Sequence, residues 1–230
     1  KNDDLSFHTG WLQGEFSLLE RSRLSFEIPY SSQSGSLGTV SGIGDPIIVW
    51  NQTLYREMTS SLLLHLGLKL SIGDANSGNL PQAYQSTLGT NDLLLGFRYE
   101  YDAWNASVVY QLSRGRGENN LTRLKRGDDI LARAGYRFDL QEAQIAGEIL
   151  AIKRLEESSV RNLASTRPDD FVDEPNSDQF QINLQGRVLY PLSDRYNLQI
   201  LVARPLLKRD VNVDGLKRSF SLSLGLSHLF

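Results

Sequence analysis

The residues that could do chemistry in this sequence are charged side chains set singly among apolar ones. Lys69 lies between Leu68 and Leu70, Arg98 between Phe97 and Tyr99, Arg133 between Ala132 and Ala134, and Glu148 between Gly147 and Ile149. Glu100, Arg137 and Arg187 repeat the pattern, Asp92 precedes the run at Leu93, and Asp45 stands in the segment Gly42-Ile-Gly-Asp45-Pro. In an extended chain alternate residues share a face, so such charges fall opposite the apolar side chains. The cations Lys69, Arg98, Arg133, Arg137 and Arg187, set against Asp45, Asp92, Glu100 and Glu148, could line an aqueous path and select solutes by charge. They could equally pair across strands and hold an interior together. At Asp45 the plainer reading is a solvated turn residue after glycines that let the strand start bend.

Catalysis fits less well. A hydrolase needs a histidine coupled to serine or aspartate, or paired carboxylates. Of the three histidines, His8 lies in an ambiguous region, His228 lies at the chain end, and only His65 sits mid-strand on a polar face. The acidic stretch with Asp169, Asp170, Asp173 and Glu174 could hold a divalent cation, but it reads more simply as a solvated loop. No catalytic set, resident metal or cofactor is expected.

The elements that must position these charges are strands. Leu62, Leu64, Leu66, Leu68, Leu70 and Ile72 alternate with Ser61, His65, Gly67, Lys69 and Ser71. At helical spacing those leucines would spread around the axis, whereas at period two they form one apolar face. The same alternation runs through Leu24 to Tyr30, about Gly42 to Tyr55, Leu93 to Tyr101, Trp104 to Leu112, Ile130 to Phe138, Ile145 to Ala151, Phe180 to Tyr190, Tyr196 to Val202 and Phe220 to Phe230. Residues 1–18 change parity between Trp11 and Phe16, as one shifted strand or two short ones would. Ser31 to Ser41, rich in Ser and Gly, reads as a loop. Short turns near 57, 102, 140 and 193 alternate with long loops near 36, 80, 120, 167 and 211. Glu156 to Asp178 is the longest.

Composition narrows the classes. Forty per cent of the residues are hydrophobic and the mean hydropathy is negative, so no run reaches the roughly 20 apolar residues of a spanning helix. A barrel is not excluded, because only alternate residues of its strands meet lipid. The net charge of −3 without a basic block argues against nucleic acid. The absence of cysteine fits a protein without a disulfide framework. The polar start Lys1-Asn-Asp-Asp precedes no apolar segment, as in a mature or trimmed chain. A soluble β-sandwich remains the rival fold, with the apolar faces turned inward. It would have to leave many charged strand residues on its outer surface, and it does not account for the alternation of short and long connections.

Ser223, Gly225, His228 and Phe230 resemble the carboxy-terminal assembly signal of bacterial outer-membrane barrels, which ends in a terminal aromatic residue. His228 departs from it, since a hydrophobic residue is expected there. Gly42-Ile-Gly-Asp45, with the preceding Arg23-Leu-Ser-Phe-Glu-Ile-Pro29-Tyr, is similar to the outer-membrane channel family named phenol-degradation meta-pathway proteins. That resemblance implies a barrel of about twelve strands passing small, often hydrophobic compounds. The Asn-His-x-Ser-Asn-Gly pattern of the barrel phospholipases is absent.

The reading is therefore all-β: one domain over residues 1–230, a transmembrane antiparallel up-and-down β-barrel. It would have about twelve strands if residues 1–18 supply two, or about ten without them, an even count that returns both ends to the periplasm. The expected function is a passive outer-membrane channel for small solutes, with Asp45, Lys69, Arg98, Glu100, Arg133, Arg137, Glu148 and Arg187 lining the pore. A non-conducting scaffold, adhesion or accessory barrel is the alternative, and a lipid hydrolase the third. The expected partners are outer-membrane lipid and lipopolysaccharide, the barrel assembly machinery and a small-molecule solute. The chain is expected to be a monomer.

Overall fold

The computed structural model describes residues 5–213 and 219–228. Its strands are β1 (Ser6–Leu19), β2 (Ser22–Gly35), β3 (Gly38–Ile43), β4 (Ile47–Arg56), β5 (Ser60–Lys69), β6 (Asn91–Tyr101), β7 (Trp104–Arg114), β8 (Asp129–Leu140), β9 (Ala143–Arg154), β10 (Ser159–Arg161), β11 (Phe171–Asp173), β12 (Phe180–Pro191), β13 (Tyr196–Leu207) and β14 (Ser221–His228). Twelve of them form one antiparallel sheet along the path β1-β2-β4-β5-β6-β7-β8-β9-β12-β13-β14, with β3 paired to β2 alone. Strands β10 and β11 make a separate small hairpin within the longest loop. The fold is all-β, as the period-two pattern requires.

The sheet is inside out. The buried apolar side chains among the described residues are only Val40, Ala75, Tyr84 and Leu124, all near the long loops, while buried polar and charged groups run from Ser22 and Lys69 to Arg154 and Ser177. Leu66, Leu68, Leu93, Leu95, Phe97, Val108, Ile149, Leu184, Leu222 and Leu224 all stand exposed. A soluble sandwich would cover that face with a second sheet, and among the described residues no sheet does so. Apolar surface this continuous is satisfied by a hydrocarbon surrounding. Strands of 10 to 12 residues in β4 to β9, β12 and β13 match the roughly 9 to 11 needed to cross a bilayer at a tilt.

The count of twelve is reached differently from the sequence reading. Residues 6–19 form one strand with a register shift between Ser17 and Leu19, not two strands. The twelfth strand is β3, drawn from the stretch read as a loop. β2 pairs β3 from Tyr30 opposite Ile43 and pairs β4 from Glu27 opposite Ile47. The register between those two ladders slips by one residue, so Gly44-Asp45-Pro46 is a bulge. Gly44 donates its amide to Pro29 O at 2.8 Å; a Cβ there would lie 2.8 Å from Ser86 O, which leaves the position to glycine. β5 ends at Lys69, so Leu70 and Ile72 belong to the loop.

The path from β1 to β14 is a chain of antiparallel pairings. Eleven strands on it make β1 and β14 run in the same direction. The described chain therefore starts at the long-loop end and reaches His228 at the short-turn end, which corrects the expectation that both ends lie together. The short turns include residues 102–103 and 141–142, where Asp102 and Gln141 take positive φ of 52° and 49° to close tight hairpins. One cavity is lined both by Trp11 of β1 and by Ser221 and Ser223 of β14, so the sheet curls until its two edges border one interior space.

Candidate functional site

The polar faces converge on that interior. Opposite Leu68 and Leu93 on the outer surface, Lys69 and Asp92 face inward and pair at 2.8 Å. The bulge turns Asp45 toward the same ammonium group at 3.4 Å, and Asp45 also accepts from Thr87 Oγ1 and, at 3.1 Å, from the Leu88 amide. Asp45, its side chain 10% exposed, is thus an ion-pair residue and not a solvated turn. Asp92 is fully enclosed and further accepts from Gln111 at 2.5 Å.

Among the described residues four cations and three anions meet in this loop-end cluster. Beyond Lys69, Asp45 and Asp92 it contains Arg126, which bridges Asp92 and Asp129 at 3.5 Å each. Arg154 grips Asp129 with a fork of two bonds, 3.1 Å from Nε and 3.2 Å from Nη2. Arg209 approaches the same carboxylate at 3.4 Å. Paired geometry of this kind offsets the cost of stripping water from each charge, whereas removing one partner leaves a buried ion and costs about 3–5 kcal/mol.

The second cluster lies toward the short turns. Glu148, buried, sits 3.7 Å from Arg133 and 3.9 Å from Arg187. Gly135 makes room for it: a Cβ at Gly135 would fall 2.7 Å from Glu148 Cγ. Arg98 pairs with Glu100 at 2.8 Å on the same strand, and Glu100 accepts from Ser61 at 3.0 Å. Arg137 pairs with Asp139 at 3.6 Å at the solvent-exposed rim. The residues expected to line a pore therefore do face inward, but they divide into two groups. Asp45 and Lys69 belong to the dry cluster, and Arg98, Glu100, Arg133, Arg137, Glu148 and Arg187 to the wetter one.

Each group borders a chamber. At the turn end, about 300 Å³ is lined by Arg98, Glu100, Arg137, Glu148, Arg187 and Gln199 among others. At the loop end, about 540 Å³ is lined by Arg126, Asp129, Arg154 and Arg209, with Leu131, Leu150, Ile152 and Leu201 beside them. Arg133, Glu148 and Arg187 form a shelf between the two.

Above the loop-end chamber the long loops are tied together. Asn119, almost wholly buried, donates to Ala75 O and Leu80 O at 2.8 and 3.1 Å. It also accepts from the Leu121 and Thr122 amides. Arg116 donates to Ser159 Oγ at 2.9 Å and stacks 3.5 Å above the Phe171 ring. Asp74 accepts from the Asn76 amide and the Ser77 hydroxyl, and these bonds, the backbone one first, hold its carboxyl below the usual range. The acidic stretch at 169–174 gathers no group of three potential metal ligands among the described residues.

His65 is half-buried on the inner face and 2.5 Å from Asn51 Oδ1, with no acidic partner in that bond. This is not the arrangement of a coupled hydrolytic base. In the carboxy-terminal motif, Ser223 faces the interior, Gly225 pairs with Gln199, and His228 pairs with Tyr196. The rings of His228 and Tyr196 lie 4.8 Å apart, so His228 occupies the apolar row as an aromatic would. Phe230 lies outside the described residues. Sequence reasoning missed Arg126, Asp129, Arg154 and Arg209. Asp129 and Arg154 share the inward parity of Arg133 and Glu148, and carrying that parity to the strand ends would have found them.

No family model matches the chain, and no curated protein sequence matches it. Among solved structures it is similar to the crystal structure of an outer-membrane channel from Pseudomonas putida F1. The TM-score is 0.70 at 17% identity, covering 98% of this chain and 84% of that one. Fold and interior together define an all-β chain with the architecture of an outer-membrane channel barrel. No helix among the described residues is long and apolar enough to cross a membrane, which leaves spanning by strands untouched.

Proposed function

We propose that this chain is a passive outer-membrane channel for small solutes. The observation that carries the proposal is the inverted polarity: an exposed apolar belt around an interior of charged side chains with two chambers along it. Mixed charge at a narrow level is how a diffusion channel biases its traffic. The channel name of the structural neighbour supports the same reading, and small hydrophobic or aromatic compounds are the solutes that the Gly42-to-Asp45 resemblance implies. In this reading the belt meets outer-membrane lipid, the long loops face lipopolysaccharide, and β14 engages the barrel assembly machinery. The protein acts as a monomer without catalysis or cofactor.

Single-channel recording in a planar bilayer tests it. Discrete conductance steps whose ion selectivity changes when Arg98 or Arg133 is reversed in charge are expected. The tied loops and the filled loop-end cluster favour one other reading, a barrel that inserts without conducting and serves as scaffold or accessory subunit. Heat-modifiable, inserted protein that never conducts would establish it.

A further inference from the structure

We infer that the turn-end chamber is a binding site for a small neutral polyol, a compact molecule carrying several hydroxyl groups. This deepens the channel reading by naming a solute class, and rests on it. The shelf supplies the first observation. Glu148, its side chain 6% exposed, stands 3.7 Å from Arg133 and 3.9 Å from Arg187. Both separations exceed hydrogen-bond reach, and Glu148 Oε2 and Arg187 Nε are buried with no hydrogen-bond partner among the described residues. A buried carboxylate oxygen left without a donor costs free energy, and here both side chains line the chamber. An oxygen placed about 2.8 Å from both the carboxylate and a guanidinium fits beside the line that joins them. It would have to donate to Glu148 and accept from the arginine. A hydroxyl does both, whereas a carboxylate or a halide only accepts and an ammonium only donates.

The rest of the lining has the same two-sided character. Asn105, Gln144 and Gln199 border the chamber, and each amide carries both donors and an acceptor. None of the three is bonded to another side chain among the described residues. Asn105 and Glu148 meet over Gly135, where a Cβ would fall 2.7 Å from Glu148 Cγ and 3.0 Å from Asn105 Nδ2. Charge gives no reason to hold an ion instead. Arg98, Arg133, Arg137 and Arg187 are matched in number by Glu100, Glu148 and Asp139, with which they pair, and by Asp102 at the rim. At about 300 Å³ the space equals roughly ten waters at liquid density, enough for a six-carbon polyol. Ala146 and Leu189 offer a short apolar stretch to its C–H edges. A fully apolar solute at this level would strip water from the carboxylate and the guanidinium groups without replacing it.

The test is a saturation-transfer difference NMR titration on the full chain folded in lipid nanodiscs, with empty nanodiscs subtracted. Sorbitol is the probe, hexane-1,6-diol its counterpart with the same carbon count and fewer hydroxyls, and sodium gluconate its anionic counterpart. Sorbitol should bind saturably, about tenfold or more tighter than the diol and no weaker than gluconate. Glu148→Gln, which takes the charge from the acceptor, and Gln199→Ala, outside every ion pair, should each weaken sorbitol several-fold while the heat-dependent gel shift of the folded barrel stays unchanged. Equal affinity for the diol would refute recognition by hydroxyls, and tighter binding of gluconate would refute a neutral ligand. Insensitivity to both substitutions would place binding elsewhere and overturn the assignment, and a signal no larger than that of empty nanodiscs would mean that the gap holds only water. Conductance without sorbitol binding would sink this inference and leave the channel. Sorbitol binding by a chain that never conducts would do the reverse.

Discussion

The shelf at Glu148 offers the sharpest handle on whether the interior carries current. Replacing it by Gln (E148Q) keeps shape and removes the one negative charge that faces both Arg133, at 3.7 Å, and Arg187, at 3.9 Å. Each pair at such a distance is worth about 4 kcal/mol at an effective dielectric near 20, and about 1 kcal/mol in water. Both arginine side chains are roughly a third exposed to the chambers, so the lower figure applies after screening. A permeating anion at the shelf would therefore meet a potential more favourable by about 1 kcal/mol, and a cation one less favourable by as much. About 1 kcal/mol is roughly a fivefold change in an equilibrium ratio. Measured as reversal potential across a potassium chloride gradient, E148Q should shift the anion-to-cation permeability ratio upward by about the square of that factor, roughly 25-fold, because the two ions move in opposite directions. The shift should shrink as salt rises, because the Debye length falls from about 10 Å at 0.1 M to about 3 Å at 1 M. Arg187→Gln should shift selectivity the opposite way. An unchanged ratio in both variants, with conductance intact, would refute the idea that ions pass this shelf.

Three further outcomes follow from the same geometry. Leu95→Arg, on the outer face, should destabilise the barrel in lipid vesicles by about 2–4 kcal/mol, whereas Gln185→Arg, which lines the loop-end chamber, should cost much less; denaturant unfolding compares them. Asn119→Ala removes bonds to Ala75, Leu80, Leu121 and Thr122. Leaving those buried groups unpaired should cost about 1–3 kcal/mol and show as faster amide exchange at residues 75–80 and 119–122, with strands β6 to β9 unaffected. Because Asp74 is held below the ordinary carboxylate range in the folded chain, its support of the turn at Asn76 is present above the unfolded pKa of about 3.9 and is lost as pH falls through the lower folded value. Protection of the Asn76 amide should therefore persist at pH 5 and fall only in stronger acid, and Asp74→Asn should remove that step.

Period-two alternation made the strands and their inward faces legible, because a row such as Leu93, Leu95, Phe97 and Tyr99 has no other economical packing. It failed where neither face is apolar. The hairpin of β2 and β3 reads as a loop because Ser31, Ser32, Gln33, Ser34 and Gly35 carry no hydrophobic signal, yet their backbone pairs through Tyr30 to Gly35. It failed again for groupings that span the whole chain. Residues 45, 69, 92, 126, 129, 154 and 209 converge only once the sheet has curled, and nothing local in the sequence announces that Asp129 will face three arginines. The bulge at Gly44 to Pro46 was visible as glycine and proline at a strand start, but its effect, carrying Asp45 to Lys69, depends on register with β2.

Among the described residues only Val40, Ala75, Tyr84 and Leu124 form a conventional apolar interior, and they lie near the long loops. In the outer-membrane reading proposed above, most of the hydrophobic free energy of this fold resides at the boundary between protein and hydrocarbon, with the surrounding lipid acting as the missing half of the core. Filling cavities, the usual way to raise a melting temperature, has little to act on in such a molecule. Acyl-chain length and bilayer thickness take its place, since they set how much of the Leu66, Leu95 and Leu224 surface is kept from water. In that reading the same side chains would have nothing to cover them before the bilayer is reached, so passage through water would depend on the chain being held unfolded, and folding and membrane insertion would be a single event.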